Sequence, residues 1–146
     1  MLLGAQSRRA ARYPDHARMG RRSYANHTAL TSPLFTAWPQ QAEIDCAAIE
    51  NAINERDFST LGELVEANAL AMHATMQAAR PRLTYLSSES WKVLERLWIA
   101  RQDGLEAFAT MDAGANVKII FEEAVLDDVL NVFPSANIVA PFADRP

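Results

Sequence analysis

The residues best suited to chemistry stand together in TMDAGANVK, from Thr110 to Lys118. Asp112 precedes the small residues Ala113, Gly114 and Ala115, and the apolar run VKIIF follows at once. Two uses fit this arrangement. An aspartate can end a strand and open a turn. A carboxylate at a strand end, beside a glycine that brings no side chain, can also meet a ligand and take a proton from it.

Few other side chains compete for such a role. His73 lies one step off an apolar helical stripe, and His16 and His27 are too distant in sequence to give metal-ligand spacing. It reads as a partly buried structural histidine rather than a base. Asn68 falls inside the same stripe, where a buried amide needs partners; a clamp on neighbouring structure is the favoured reading, a ligand contact the other. The single cysteine, Cys46, reads as helix packing and excludes an internal disulfide framework. The five glycines never cluster, so neither GxGxxG nor GxxxxGK is present, and GxSxG, HExxH and CxxC are absent too.

The elements that must position Asp112 follow from spacing. Ser32 and Pro33 resemble an N-cap and first helical residue. That helix should break or restart at Pro39 and carry Ile44, Ala48, Ile49, Ala52 and Ile53 on its apolar face. Asp57 should cap a second helix with the stripe Phe58, Leu61, Val65, Met72 and Met76. Pro81 interrupts; Ser87 or Ser88 should then cap a third helix burying Trp91, Leu94, Leu97 and Trp98, with Gly104 as its left-handed stop. EAFATMD and NVKIIFE read as a hairpin about Gly114. EEAVLDDVLNVF reads as a short amphipathic helix with a solvated acidic face at 122–128, and ANIVAPF as a last strand. The expected fold class is α+β, an antiparallel sheet with helices packed on one face.

At 146 residues the chain is long enough to bury one core, and 49% hydrophobic with 22% charged residues fits a globular domain. No apolar run reaches the roughly 20 residues of a membrane helix. The net charge of -4 draws it to neither nucleic acid nor anionic membrane, and the cysteine usage fits a reducing compartment such as the cytoplasm. That charge is uneven. Arg8, Arg9, Arg12, Arg18, Arg21 and Arg22 crowd residues 1–30 with Asp15 as their one acid, while the other 116 residues hold 8 basic and 17 acidic side chains. This head shows no periodicity. It could be an organelle leader, a phosphate-binding stretch, or a segment foreign to the domain; with Tyr13 and Tyr24 as its aromatics, nucleic-acid binding is the weakest of the three. Residues 1–30 are therefore expected to be irregular, and 31–146 to be the domain.

TSPLFTAW, RDFSTLGELVEANALAMHATMQAARP and TMDAGANVKII together resemble the C-terminal half of diphosphomevalonate decarboxylases, in the GHMP kinase superfamily. The resemblance runs in order from about Thr31 to Phe142. It implies the C-terminal domain type of that superfamily and an ATP- and Mg²⁺-dependent conversion of mevalonate 5-diphosphate to isopentenyl diphosphate, phosphate and carbon dioxide. By motif position it makes Asp112 the catalytic carboxylate, activating the substrate's tertiary 3-hydroxyl, with Gly114 keeping the turn clear beside the substrate. The family is commonly dimeric. Close alternatives are a fragment of a phosphomevalonate decarboxylase or a non-catalytic interaction module; a mevalonate 3-kinase fits less well, because that reading lacks the aspartate.

Two departures from the family's pattern stand out. Ala115 replaces a usual proline, loosening the turn by ~0.5–1 kcal/mol through unfolded-state entropy. Upstream, counting back from Thr31 sets Arg22 at the substrate-contacting arginine of the family's SSRxGM segment, but Arg21, Tyr24 and Ala25 replace its serine, glycine and methionine. The family's N-terminal domain, with its ATP loop and diphosphate clamps, has no counterpart in these residues. The chain alone is thus expected to bind no nucleotide, to expose a face that the other domain would cover, and to owe its basic head to a truncated or frame-shifted boundary.

Overall fold

A computed structural model describes residues 2–5 and 21–140, with side chains described for residues 25–140. In chain order the elements are β1 (Leu2–Ala5), α1 (Arg21–Thr31), α2 (Trp38–Glu55), α3 (Phe58–Gln77), α4 (Ser88–Gln102), β2 (Ala107–Met111), β3 (Val117–Phe121), α5 (Leu126–Val132) and β4 (Asn137–Val139). The four strands form one antiparallel sheet in the order β2-β3-β1-β4. The fold is α+β, as expected.

Alternation makes the hairpin. Val117, Ile119 and Phe121 are buried on β3, opposite Met111, Ala109 and Ala107 on β2. α4 and α5 cover that face with Leu94, Leu97, Val129 and Phe133. Each large apolar side chain so buried stabilises the fold by roughly 1.5–3 kcal/mol. Arg96 fastens α4 to α5, donating to the Val132 carbonyl and lying 5.3 Å from the Phe133 ring centre.

α4 begins as its serines dictate. Ser87 is the cap, and Ser87 and Ser90 bond reciprocally through side chain and main chain. At its end Gly104 takes φ 98°, the left-handed stop. Asp57 caps α3 by accepting the Thr60 N–H at 3.0 Å.

The entry to α2 differs from expectation. Ser32 ends α1 instead of capping a helix at Pro33: its N–H returns to Thr28 O at 2.9 Å, and its Oγ accepts the Leu34 N–H at 3.3 Å. Turns span 33–37, and the helix starts at Trp38 with Pro39 in its first turn. There a proline loses no hydrogen bond. Ile44 and Ile53 on α2, Trp91 on α4 and Cys46 are exposed rather than packed.

Residues 1–30 are not irregular throughout. β1 is an inner strand, with Leu3 opposite Ile119 on one side and Ile138 on the other. Four residues are too few to show a period, and their partners lie over a hundred positions away. α1 crosses the expected boundary at residue 30. It lacks an apolar stripe and is held at its end, where His27 Nε2 donates to Pro81 O at 2.9 Å and Thr31 Oγ1 accepts the Arg80 N–H at 3.1 Å. The arginines at 8, 9, 12 and 18, and the end of the last expected strand at 141–142, lie outside the described residues.

α3 is rotated from the expected phase by one residue. Its buried residues are Gly62, Glu66, Ala69, His73 and Met76, spaced by four and three, with Thr75 beside them; of these, Met76 was expected in the buried stripe. The expected positions Leu61, Val65, Asn68 and Met72 are half-buried. Among these Asn68 is the anticipated clamp, donating to Asp45 Oδ2 on α2 at 3.0 Å, while Gln41 donates to Oδ1 at 2.8 Å. α3 lies so close to the edge strand β2 that a Cβ at Gly62 would overlap the Phe108 ring.

Glu66 completes that seam. Its carboxylate accepts from Arg101 at 2.7 and 3.1 Å, from Trp98 Nε1 at 2.8 Å, and from the Ala109 N–H at 2.7 Å. Arg101 also donates to the Ala107 carbonyl at 2.9 Å and lies 4.4 Å from the Phe108 ring centre. The ion pair thus meets the outward donor and acceptor of β2, as another strand would.

Candidate active site

Asp112 is the first residue past β2, and the connection to β3 runs over residues 112–116. Met111 turns into the core, so the next side chain along the strand turns away from it. The Asp112 side chain is 70% exposed, and its Oδ2 accepts from Lys118 Nζ at 3.2 Å. Lys118 sits on β3 opposite Thr110, on the face away from the core. An exposed pair of this kind adds little stability. Its consequence is local: a cation stands over one carboxylate oxygen.

The turn is tight. The Gly114 N–H reaches the Asp112 carbonyl at 2.7 Å. A Cβ on Gly114 would lie 3.0 Å from Asp112 Oδ1, so glycine leaves room beside the carboxylate rather than supplying an unusual φ. Below the turn, Ser90 Oγ donates to the Ala115 carbonyl at 2.8 Å, and Ser90 is buried to 2% exposure.

His73 is fully buried at 1% exposure, beyond the partial burial expected, and it lies against Asp112. Burial pushes its pKa below the ordinary histidine value, while the nearby Asp112 main chain and charge pull the other way. Its Nε2 has no partner among the described residues. The sequence stripe put His73 off the core and gave no sign of this contact.

Asp112 and Gly114 are therefore brought together, with Lys118, Ser90 and His73 around them. Arg22 lies in the first turn of α1, and its side chain is outside the described residues. Among the described residues no three His, Cys, Asp or Glu side chains gather as a metal site. No helix of the described residues is long and apolar enough to cross a membrane.

Comparison with known proteins bears on this hairpin and its helices. The sequence model of the mevalonate 5-diphosphate decarboxylase C-terminal domain matches residues 19–141. A diphosphomevalonate decarboxylase of Candida albicans is 32% identical over 110 residues, covering 72% of this chain and 29% of that protein. The mevalonate diphosphate decarboxylase of Enterococcus faecalis superposes with a TM-score of 0.79 at 31% identity, over 91% of this chain and 38% of that one. A solved complex of MDDEF with MVAPP, AMPPCP and magnesium gives a TM-score of 0.82 at 31% identity, over 90% and 39%.

The chain belongs to the mevalonate 5-diphosphate decarboxylase C-terminal domain family. It spans less than two fifths of the length of each of these relatives.

Proposed function

We propose that this chain serves as the C-terminal part of an ATP-dependent diphosphomevalonate decarboxylase, with Asp112 as its catalytic carboxylate. The reaction consumes mevalonate 5-diphosphate and ATP and yields isopentenyl diphosphate, ADP, phosphate and carbon dioxide. Family membership supports the reaction. The observation that carries the residue is the exposed carboxylate at the end of β2, with a lysine on one oxygen and a cleared turn beside the other.

The chemistry needs such a group. A tertiary alcohol is a poor nucleophile, and its oxygen gains electron density as its proton is drawn away. Asp112 accepts that proton while the oxygen attacks phosphorus. Lys118 stands at Oδ2, which leaves Oδ1 as the oxygen that takes the proton. Gly114 keeps bulk away from Oδ1, and Arg22, if it reaches the cleft, meets the substrate's anionic groups.

The related complex holds AMPPCP, MVAPP and magnesium. The described residues of this chain offer neither a metal cluster nor a phosphate-cradling glycine loop. As the family resemblance implies, nucleotide and metal are assigned to the N-terminal domain of a complete enzyme. The setting proposed is the cytoplasm, and the assembled enzyme a homodimer.

The test joins this chain to the N-terminal part of a family decarboxylase in place of its own C-terminal part. ATP-dependent release of carbon dioxide from mevalonate 5-diphosphate is expected. A folded, soluble hybrid that binds both substrates yet releases none would overturn the proposal.

A further inference from the structure

Lys118 stands in an acidic stretch. Between Arg101 and Arg145 it is the one lysine or arginine, among eight aspartates and glutamates. The sheet puts this single cation beside Asp112. Lys118 lies on β3 opposite Thr110, on the face away from the core, and its Nζ donates to Asp112 Oδ2 at 3.2 Å.

Stability does not account for the lysine. An exposed ion pair adds little, and lysine is a poor strand former beside the valine and isoleucines around it. The ammonium has three N–H donors. Among the described residues its one partner is Asp112, so two donors are left for a ligand.

Charge gives Lys118 a second use. ATP and mevalonate 5-diphosphate are polyanions, which a bare carboxylate repels. With Lys118 on Oδ2, the Asp112–Lys118 pair carries no net charge as they approach. Phosphoryl transfer changes this. The O–H bond of the 3-hydroxyl breaks and its proton goes to Asp112 Oδ1. The oxygen's electron pair forms the bond to the γ-phosphorus, and the bond from that phosphorus to ADP breaks. Asp112 is then neutral, and the pair carries one positive charge. Lys118 thus loses its counter-charge in the step that sets a phosphate on the oxygen at Oδ1, within reach of a flexible four-carbon stem. An ammonium freed at that moment binds the transferring group more strongly than the substrates at rest, and such interactions raise kcat.

We propose that Lys118 is a phosphate-binding catalytic residue, held by Asp112 until that carboxylate takes the proton and then released to the transferred phosphate. This rests on the reading of Asp112 as the catalytic group.

Two measurements test it. The first uses the full chain and tripolyphosphate, read from the amide NMR shifts of residues 112–118. Asp112→Asn leaves the side chain neutral, as protonation does, and is expected to tighten tripolyphosphate binding there by about threefold or more. Adding Lys118→Met to that variant is expected to remove the gain. Equal affinity in the unmodified and Asp112→Asn chains would overturn the proposal, as would a gain that survives Lys118→Met.

The second uses the enzyme assembled with an N-terminal part. Lys118→Met is expected to lower kcat by about tenfold or more, with KM for both substrates little changed and the unfolding midpoint unmoved. Lys118→Arg, which keeps the charge, should recover most of the turnover. A raised KM at unchanged kcat would mean that Lys118 binds the substrates at rest, and would overturn the proposal. Asp112→Asn separates the two readings. Retained turnover there would refute the catalytic role of Asp112 and this proposal with it, whereas an inactive Asp112→Asn beside a fully active Lys118→Met would overturn the role of Lys118 alone.

Discussion

Glu66 on α3 accepts the main-chain N–H of Ala109 at 2.7 Å, across 43 residues of sequence. With Arg101 on the neighbouring carbonyl, it gives the edge strand β2 the partners that a further strand would. Because β2 leads directly into Asp112, this seam sets where the carboxylate emerges.

Removing that carboxylate should be costly. Glu66→Ala leaves the Ala109 N–H and Trp98 Nε1–H without their acceptor, and Arg101 without its counter-charge. A loss of about 3 kcal/mol is expected, against which urea unfolding is the measure. A change below about 1 kcal/mol would show that water or another group replaces Glu66.

Gly62 is a packing prediction with the opposite sign from helix propensity. Alanine is the better helix former by up to about 1 kcal/mol. Here its Cβ would overlap the Phe108 ring, which is held between Phe58 and Arg101. Gly62→Ala should therefore destabilise by about 1–2 kcal/mol net, and thermal unfolding reads it directly. An increase in stability would mean that the ring has room to withdraw.

Two buried groups predict the pH dependence of stability. Burial alone would raise the Glu66 pKa, but the hydrogen bonds from Arg101, Ala109 and Trp98 and the Arg101 charge outweigh it and leave it lowered. A lowered carboxylate contributes stability above its unfolded value, near 4.5, that is lost as pH falls through the folded value. His73, also lowered, must stay neutral in its buried site. Below its unfolded value near 6.5 the unfolded chain takes up the proton first, so stability falls there as well. Urea midpoints should decline in two steps on acidification, the upper one absent from His73→Asn. An unchanged upper step in that variant would assign it to another group.

Gly114→Ala tests the space beside the carboxylate. Its Cβ would lie 3.0 Å from Asp112 Oδ1, close enough to displace a flexible side chain but not the fold. Stability should change by less than about 0.5 kcal/mol, as for surface sites generally. Turnover of the assembled enzyme should fall by about tenfold or more if that oxygen takes the proton.

Several of these features are legible in the sequence and several are not, for physical reasons. The β2–β3 hairpin shows because Val117, Ile119 and Phe121 alternate; α4 shows because Ser87 and Gly104 punctuate it. The phase of α3 is hidden, since Glu66 looks like a surface residue until Ala109, Arg101 and Trp98 are folded against it, and His73 reads as only partly buried. Nothing local distinguishes them. β1 is equally hidden, because Leu2–Ala5 becomes a strand only through β3 and β4. The carboxylate itself was legible by motif; the two residues beneath its turn, Ser90 and His73, were not.

The central claim is that the Asp112 carboxylate takes the proton of the substrate hydroxyl. Its most direct test is the rate of carbon dioxide release by the assembled enzyme carrying Asp112→Asn, which keeps the size of the side chain but removes its basicity. The account predicts a fall in kcat of at least about a hundredfold, within or beyond the range typical of a lost general base, with unfolding midpoints unchanged. An Asp112→Asn enzyme that turns over within about threefold of the unmodified one, at equal stability, would contradict it.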